Sequence, residues 1–458
     1  MRSRARGVHT DRVSFRVRFA DTISQAARAL RHRNFRLFTA GQSISLLGTW
    51  MQQVAVGWLV YRLTGSPLLL GLVGFVSQAP AFLLAPIAGA IVDRHDKHRI
   101  VIVTQIVMMV QALALATLIL TGVVEIWQII ALMAVLGCAS GFDIPARQAF
   151  LLEMVGVRED LPNAIALNSS MFNAARLIGP AVAGFVISAV GEGICILING
   201  VSYIAVLAAL YAMRLTPPAS PAASGAVLAR IVEGFDYAFR SVPIRSILVL
   251  VAIVSLVAVP FTVLLPIVAT DVLRGDARTL GFLMSATGLG ALAGALFLAS
   301  RSTVRGLGRV IVFAAFLFGT ALIAVAFSRT TWISMLCLAA AGFGMMAQMA
   351  SSNTVLQTIV DDDKRGRVMS IYSMAFVGTA PLGALLAGAL ADRLGAPAAL
   401  GAGGVLCVLA AAGFGSRLPV LREAVRPIYA RLGILPEVAR GIQAATHQTT
   451  SQTDDPRR

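Results

Sequence analysis

The chain has 458 residues, of which 57% are hydrophobic and only 13% are charged, and its mean hydropathy is +0.80. Because a soluble domain carries about 25% charged residues, this chain has too few charges to cover a globular surface in water, and lipid is its expected solvent. The net charge of +16 would favour a nucleic-acid partner in a soluble protein, but the basic residues here follow a membrane pattern, so no such partner is predicted.

Twelve apolar runs follow one another along the chain, each comparable to the roughly 20 residues that cross a bilayer as a helix. They cover residues 37–61, 68–92, 100–120, 126–142, 164–189, 194–213, 247–269, 280–299, 310–327, 332–351, 368–391 and 397–414. Glycine and proline occur inside many runs, which membrane helices tolerate. The predicted fold class is an all-α membrane protein with twelve transmembrane helices in two six-helix, pseudo-symmetric halves.

Lysine and arginine concentrate in the N-terminal segment, in the connections after the even-numbered runs and in the tail. This asymmetry assigns those segments to the cytoplasm, so both termini are predicted to be cytoplasmic in a cell inner (plasma) membrane. The predicted division is a basic N-terminal segment (1–36), a first half (37–213), a cytoplasmic linker (214–246), a second half (247–415) and a largely disordered tail (416–458).

The turn between the second and third runs reads GAIVDRHDKHR, residues 89–99. It resembles the cytoplasmic motif of the major facilitator superfamily, G-x-x-x-D-[RK]-x-G-[RK]-[RK], although Asp96 stands where that motif has glycine. The resemblance implies a gating role, and the residues concerned are Gly89, Asp93, Arg94 and Arg99. Gly89 would allow close helix contact, and Asp93 would pair with a cation or a helix N-terminus. The alternative is a solvated basic turn that only sets topology.

Two further segments, GFDIPARQAF (141–150) and LPNAIALNSSMFNAARLIGPAVAG (161–184), follow in the first half. They resemble the drug- and siderophore-exporting branch of the superfamily, which contains enterobactin-exporter-like and macrolide-efflux-like proteins. The resemblance covers most of the first half and, more loosely, residues 366–392. It implies an exporter whose two halves rock about a central site, but it names no substrate.

The fifth run contains Gly179-Pro180 and Gly184, which resemble the antiporter motif of the fifth helix of such exporters. Pro180 frees a backbone carbonyl and can bend the helix, while Gly179 and Gly184 let another helix approach closely. These residues are therefore gating candidates that would form a hinge. The alternative is static packing by small residues.

Arg176 is the one basic residue well inside an apolar run, and an intramembrane charge is a functional candidate by default. The predicted carboxylate partner is Asp143, for which Arg147 could compete. Asp143 is also the best candidate for a coupling proton, because the runs carry almost no other acid. A capping role before Pro145 fits Asp143 equally well, and Arg176 fits a purely structural pair.

Amide and aromatic side chains suit a cavity for a bulky, neutral or amphipathic molecule. The candidate cavity residues are Gln42, Trp50, Gln53, Asn168, Asn173, Gln348 and Asn353. The alternative is hydrogen bonding between helices.

No phosphate-binding loop or Ser/His/Asp set occurs in the sequence, and no cysteine has a second cysteine or a histidine at metal-ligand spacing, so no cofactor, metal or enzymatic activity is predicted. The predicted function is secondary active export of a small amphipathic molecule by proton antiport with alternating access, in a monomer surrounded by membrane lipid. The alternatives are an uptake symporter of the same fold and a non-transporting membrane scaffold or sensor.

Overall fold

A computed structural model of the chain describes residues 28–215, 235–301 and 303–432. All regular secondary structure in these ranges is helical, which confirms the predicted all-α class. Residues 1–27, most of the predicted linker (216–234) and the end of the tail (433–458) lie outside the described residues.

The first half begins with a 3₁₀ turn at Arg28–Arg31 and contains five helices, with a second 3₁₀ turn at Arg158–Asp160 before the last. The five helices are α1 (Arg33–Thr64), α2 (Pro67–Arg94), α3 (Lys97–Leu120), α4 (Ile126–Val155) and α5 (Leu161–Tyr211). The long α5 contains the fifth and sixth predicted spans. They are separated at Gly191, whose positive φ of 84° is readily adopted by glycine.

In the described part of the second half, a short helical stretch at residues 235–240 is followed by nine further helices. They are α6 (Val242–Val257), α7 (Phe261–Ile267), α8 (Ala277–Ala299), α9 (Leu307–Phe327), α10 (Thr331–Ile359), α11 (Asp362–Ser373), α12 (Ala380–Leu394), α13 (Ala396–Ser416) and α14 (Leu418–Arg431). Two π-helical segments, Val268–Val272 and Met374–Gly378, interrupt the seventh and eleventh predicted spans.

Ten segments of the described chain are long and apolar enough to cross a membrane. One of them, residues 158–211, covers two predicted spans, so the ten account for eleven of the twelve apolar runs. The remaining run is α1, whose mean hydropathy is lowered by amide side chains such as Gln52 and Gln53. All twelve predicted spans are therefore helical in the structure.

The described residues form two compact units. The first unit contains 28–215 together with 263–288, and the second contains 235–262 together with 289–432. The sequence-based division assigns 263–288 to the second half instead, and that division stays a prediction.

Helices inside each unit approach each other at glycines, as expected where lipid gives no hydrophobic driving force. In the first unit a Cβ on Gly48 of α1 would lie 2.6 Å from Asn199 Oδ1 and 2.6 Å from Ser202 Oγ of α5. In the second unit a Cβ on Gly319 of α9 would lie 2.6 Å from the carbonyl oxygen of Gly404 of α13, and the reverse contact has the same distance. These positions therefore fix which helices are neighbours.

The predicted tail does not begin as disordered chain. Its first part forms α14, which buries Leu421 and Val425 and carries arginine at its exposed positions. Its buried apolar residues recur at helical spacing and give it a face that packs on the second unit, and the predicted disorder of the tail as a whole stays a prediction.

Candidate functional site

The most buried charge of the first unit is Asp143, in the middle of α4, whose exposed fraction is 1%. Arg147, one turn later on the same helix, places Nε 2.7 Å from Asp143 Oδ2. From α3, Thr104 Oγ1 and Gln105 Nε2 each donate a hydrogen bond of 2.9 Å to Asp143 Oδ1. Both carboxylate oxygens are therefore satisfied, which is the condition under which a buried charge is retained.

The predicted pair between Arg176 and Asp143 is not formed, and this prediction is wrong for the structure described here. Arg147 takes the place of Arg176, because the i, i+4 spacing on one helix brings its side chain to Asp143 without any interhelical requirement. Arg176 is half-buried in α5 and has no ion pair with any described residue. The role of Arg176 is accordingly separate from that of the Asp143 cluster.

A separate chain of buried amides links three helical segments of the first unit. Asn199 Nδ2 in the second part of α5 donates to Gln52 Oε1 of α1 at 2.5 Å. Gln52 Nε2 donates in turn to Gln111 Oε1 of α3 at 3.2 Å. Gln111 and Asn199 were not predicted as site residues. Each is an amide in an otherwise apolar run, and this feature of the sequence could have identified them. The amides connect α1, α3 and α5 by hydrogen bonds.

The predicted cavity residues of the first unit lie in different environments. Gln42 is buried and its Oε1 has no hydrogen-bond partner, whereas Gln53 is exposed. Trp50 is half-buried and meets the ring of Phe172 edge to face, with 5.7 Å between ring centroids. Asn168 is half-buried, and Asn173 donates to the carbonyl oxygen of Ser169 on its own helix, at 2.9 Å.

In the second unit the predicted residue Gln348 of α10 is fully buried. Its Nε2 donates to Ser352 Oγ at 3.3 Å, and its Oε1 has no partner. Asn353 is half-buried and accepts a hydrogen bond from Gln357 on the next turn. A buried amide with an unsatisfied oxygen, in an otherwise apolar helix, marks the interior-facing side of α10.

The turn after α2 is built differently from its expected gating geometry. A Cβ on Gly89 would meet nothing within 4 Å, so the expected close contact is absent. Asp93 is exposed and has no partner among the described residues, and Arg94 is exposed as well. Asp96, which departs from the motif, caps α3 by accepting from His98 N at 2.9 Å, and its carboxylate lies 3.4 Å from Arg99 Nε. A carboxylate at this position replaces the turn-forming glycine with a helix cap.

Two residues that the sequence did not single out join this turn to other helices. Lys97 Nζ lies 2.7 Å from Glu153 Oε1 at the end of α4. His98 Nε2 lies 3.0 Å from the carbonyl oxygen of Leu210 at the end of α5. The ends of α3, α4 and α5 are thus held together by Lys97 and His98.

The glycines of the fifth span make the close contacts expected of them. A Cβ on Gly179 would lie 2.6 Å from Trp50 Cβ of α1, and one on Gly184 would lie 2.7 Å from the carbonyl oxygen of Ala277 in α8. Pro180 lies inside α5 without a break in helical geometry, since the only non-helical residue of α5 is Gly191. The gating role of these residues stays a prediction.

Two contacts at the end of α1 also escaped the sequence interpretation. Arg62 binds Glu192 through both carboxylate oxygens, with Nε 2.7 Å from Oε1 and Nη2 3.3 Å from Oε2. Tyr61 donates to Asp271 Oδ2 at 2.5 Å. Glu192 is buried, so Asp143 is not the sole buried acid among the described residues. The scarcity of acids in the apolar runs therefore supports Asp143 as the proton site less strongly.

An acid precedes the fifth membrane span of each half, Asp160 before α5 and Asp361 before α11. Each acid contacts the segment that precedes the first helix of its half. Asp160 Oδ2 lies 2.8 Å from His32 Nε2, and Asp160 Oδ1 accepts from Arg28. The His32 hydrogen bond, followed by the Arg28 contacts, holds the pKa of the Asp160 carboxyl below its ordinary value. Asp361 accepts from the Tyr237 hydroxyl at 3.2 Å and pairs with Arg431 at 3.3 Å.

Twelve apolar spans with buried polar groups between them define a multi-pass membrane protein with a transporter fold. The chain belongs to the transmembrane secretion effector family of the major facilitator superfamily, whose family model matches residues 24–432. This confirms the resemblance stated from the sequence.

Curated relatives agree with this family. The chain is 28% identical to the staphyloferrin A transporter of Staphylococcus aureus, over 79% of this chain and 90% of that protein. It is 28% identical to the multidrug efflux pump Tap of Mycolicibacterium fortuitum, over 79% and 88%, and 20% identical to the macrolide efflux protein A of Streptococcus pyogenes, over 79% and 90%.

Solved structures show the same fold. The nucleoside transporter NupG superimposes with a TM-score of 0.64 at 12% identity, over 85% of this chain and 99% of that chain. A bacterial homologue of the lysosomal transporter Spinster superimposes with a TM-score of 0.63 at 14% identity, over 86% and 98%. The protein is therefore a membrane-embedded transporter of a small molecule and not an enzyme, as its family indicates.

Proposed function

We propose that the protein exports small amphipathic molecules in exchange for protons, by alternating access, and that Asp143 is the group that takes up the proton. It acts as a monomer in the plasma membrane with both termini in the cytoplasm. The observation that carries this proposal is the carboxylate of Asp143, which is 1% exposed inside α4 and is bound by one cation and two neutral donors.

A proton on Asp143 would remove the charge that Arg147 and Thr104 now bind. A proton on Oδ2 would break the ion pair with Arg147, whose side chain is one quarter exposed and can turn toward water. Oδ1 would still accept from Thr104 and Gln105, but these contacts between α3 and α4 would weaken, because a neutral acid is a poorer acceptor than a carboxylate. A coupling site needs this link between charge and helix packing.

Export and an amphipathic substrate are supported by the relatives, two of which are named as efflux proteins for drugs or macrolides. The buried amides Gln42 and Gln348 each have an oxygen without a partner, so they can accept a hydrogen bond from a substrate that carries no charge. The cytoplasmic termini are supported by the distribution of lysine and arginine.

The proposal is tested in inside-out membrane vesicles loaded with the protein. An acidic vesicle interior should drive uptake of a radiolabelled macrolide, and staphyloferrin A is tested in the same assay as the second substrate class. The Asp143→Asn variant should lose uptake that depends on the pH gradient and keep exchange of labelled for unlabelled substrate at equal pH, because exchange needs no net proton transfer.

The matched control is Asp392→Asn, the same substitution at an exposed acid at the end of α12. It should transport as the unchanged protein does. Gradient-driven uptake by Asp143→Asn at the control rate would contradict the proton role of Asp143. Transport in the opposite direction would favour the uptake symporter, and no transport of either compound by correctly inserted protein would contradict the proposed substrate class.

A further inference from the structure

A cavity of about 330 Å³ lies within the second unit, at the end where α6 and α9 begin and α10 and α13 end. Its inner wall is apolar and contains Ile247, Ile311, Val355, Phe414, Leu421 and Val425. All six side chains are buried, so they form a preformed apolar recess in the packed helices.

The mouth of the same cavity is basic. Arg305 reaches it from the connection between α8 and α9, Arg309 from the first turn of α9, and Arg422 and Arg426 from α14. Glu423 is the single acid among the lining residues. The four arginines are exposed, and none has an ion-pair partner among the described residues. The mouth of the cavity therefore carries four guanidinium groups and one carboxylate, and its charge is positive.

Helix α14 has the sequence pattern of a helix that lies along a membrane surface. It follows α13, the last membrane-spanning helix, with one intervening residue, and its face toward the unit buries Leu421 and Val425. Arg431 near its end is tied to Asp361 at 3.3 Å. Burial raises the pKa of the Tyr429 hydroxyl, which also lines the cavity. A basic amphipathic helix at the end of a span is typical of an interfacial element.

We propose that this cavity binds an anionic phospholipid, with an acyl chain along the apolar wall and the phosphate among Arg305, Arg309, Arg422 and Arg426. Arginine binds phosphate through paired hydrogen bonds, and the cytoplasmic leaflet, to which the basic residues of the sequence assign this end, is the leaflet rich in anionic lipid. A free phosphate would leave the apolar wall unused. The chain after Leu432 carries three arginines and three acidic residues, so its balance of charge gives it no preference for a basic mouth.

The test uses the purified full-length protein in a neutral detergent. Phosphatidylglycerol and phosphatidylcholine with identical acyl chains are titrated separately, and bound lipid is counted by native mass spectrometry while the unfolding temperature is followed. Phosphatidylglycerol should bind saturably and raise the unfolding temperature, and phosphatidylcholine should do neither. Inorganic phosphate at the same concentration should have no effect.

The Arg422→Gln/Arg426→Gln double variant should bind phosphatidylglycerol about tenfold more weakly or worse, because each basic group near a membrane surface strengthens anionic binding. The matched control removes two exposed arginines that do not line the cavity, Arg417→Gln/Arg393→Gln, and should bind as the unchanged protein does. If the double variant does not fold, Arg305→Gln replaces it, since Arg305 lies outside α14.

Val304→Trp supplies a second readout, because it fills the recess and keeps all four arginines. It should also weaken binding of phosphatidylglycerol. Equal binding by the double variant and its control, equal binding of the two lipids, or stabilisation by inorganic phosphate alone would each overturn the proposal. Undiminished binding by Val304→Trp would overturn the acyl-chain part, since surface charge would then suffice.

Discussion

The fourth membrane span of each half, α4 in the first and α10 in the second, carries two polar residues four positions apart. The two pairs differ in chemistry. In α4, Asp143 and Arg147 stand four residues apart and form a buried ion pair. In α10, Gln348 and Ser352 stand four residues apart and form a buried neutral hydrogen bond at 3.3 Å. Both pairs point polar groups into their own unit, but only α4 buries a charged group there.

This difference matters because a charge can be switched by a proton and a neutral amide cannot. The first half is therefore the half whose packing can respond to a proton, through the contacts of Asp143 with Thr104 and Gln105 on α3. The second half offers hydrogen bonding without titration. The two pseudo-symmetric halves are therefore expected to differ in their response to protons. Measurements of stability alone can test this difference.

The largest effect is expected for removal of one member of the α4 pair. Arg147→Ala should destabilise the protein by about 3–5 kcal/mol, since it leaves the buried Asp143 carboxylate without its cation. Asp143→Ala should cost less, because the remaining Arg147 side chain is 25% exposed and keeps its hydration. Unfolding of purified variants in detergent, by heat or denaturant, measures both.

The double variant Asp143→Ala/Arg147→Ala completes the cycle. Its loss should be smaller than the sum of the single losses, because neither charge is then left unpaired. Strictly additive losses would contradict a functional pair. A larger loss for Asp143→Ala than for Arg147→Ala would contradict the assignment of the buried member.

A medium effect is expected at the fifth helix, where Gly179-Pro180 of the first half corresponds to Ala380-Pro381 of the second. Gly179→Ala gives the first half the Ala-Pro pair of the second half, but the added Cβ would lie 2.6 Å from Trp50 Cβ. Overpacking of this kind costs about 1–3 kcal/mol. The measurement is the same unfolding assay.

Gly89→Ala is the matched control, because a Cβ there meets open space. It should be neutral or stabilise by up to about 1 kcal/mol through helix propensity. Equal behaviour of the two alanine variants would show that the Gly179 contact with α1 is not tight in the membrane.

A smaller effect is expected when the neutral pair of α10 is replaced. Gln348→Met/Ser352→Ala should change stability by less than about 1.5 kcal/mol, because replacing both partners of a buried hydrogen bond by apolar groups is nearly neutral. If Gln348 lines the substrate path, the same variant should raise the KM for transport. A loss as large as that of Arg147→Ala would remove the contrast between the halves.

The smallest effect is expected at Asp160 and Asp361, the acids that precede the fifth membrane span of each half. Because the pKa of Asp160 is lowered in the folded protein, its contribution to stability is fully present above the unfolded pKa of about 4 and is lost as the pH falls through the lower folded value. Asp160→Asn should therefore differ from the unchanged protein at pH 7, and the difference should shrink as the pH falls below the unfolded pKa of about 4. Asp361→Asn is the second-half counterpart, and a difference for Asp160→Asn that grows as the pH falls would contradict the sign.

The spans were predictable because lipid demands long apolar helices whatever the neighbours are. The close contacts at Gly179 and Gly184 were predictable for a similar reason, since small residues in such helices lie where helices meet. The pairing of charges was not predictable. The sequence offered Arg147 and Arg176 as partners of Asp143, and only the direction of each side chain decides between them.

The sequence by itself determined the membrane class, the number of spans and the family, because each of these depends on composition and order along the chain. The tertiary structure alone decided which polar groups meet. Gln52 is buried against Asn199 while its neighbour Gln53 is exposed, although the two residues are adjacent and identical in type. The physical reason is that a helix turns by about 100° per residue, so the packing of the neighbouring helices decides which of two adjacent residues faces the interior.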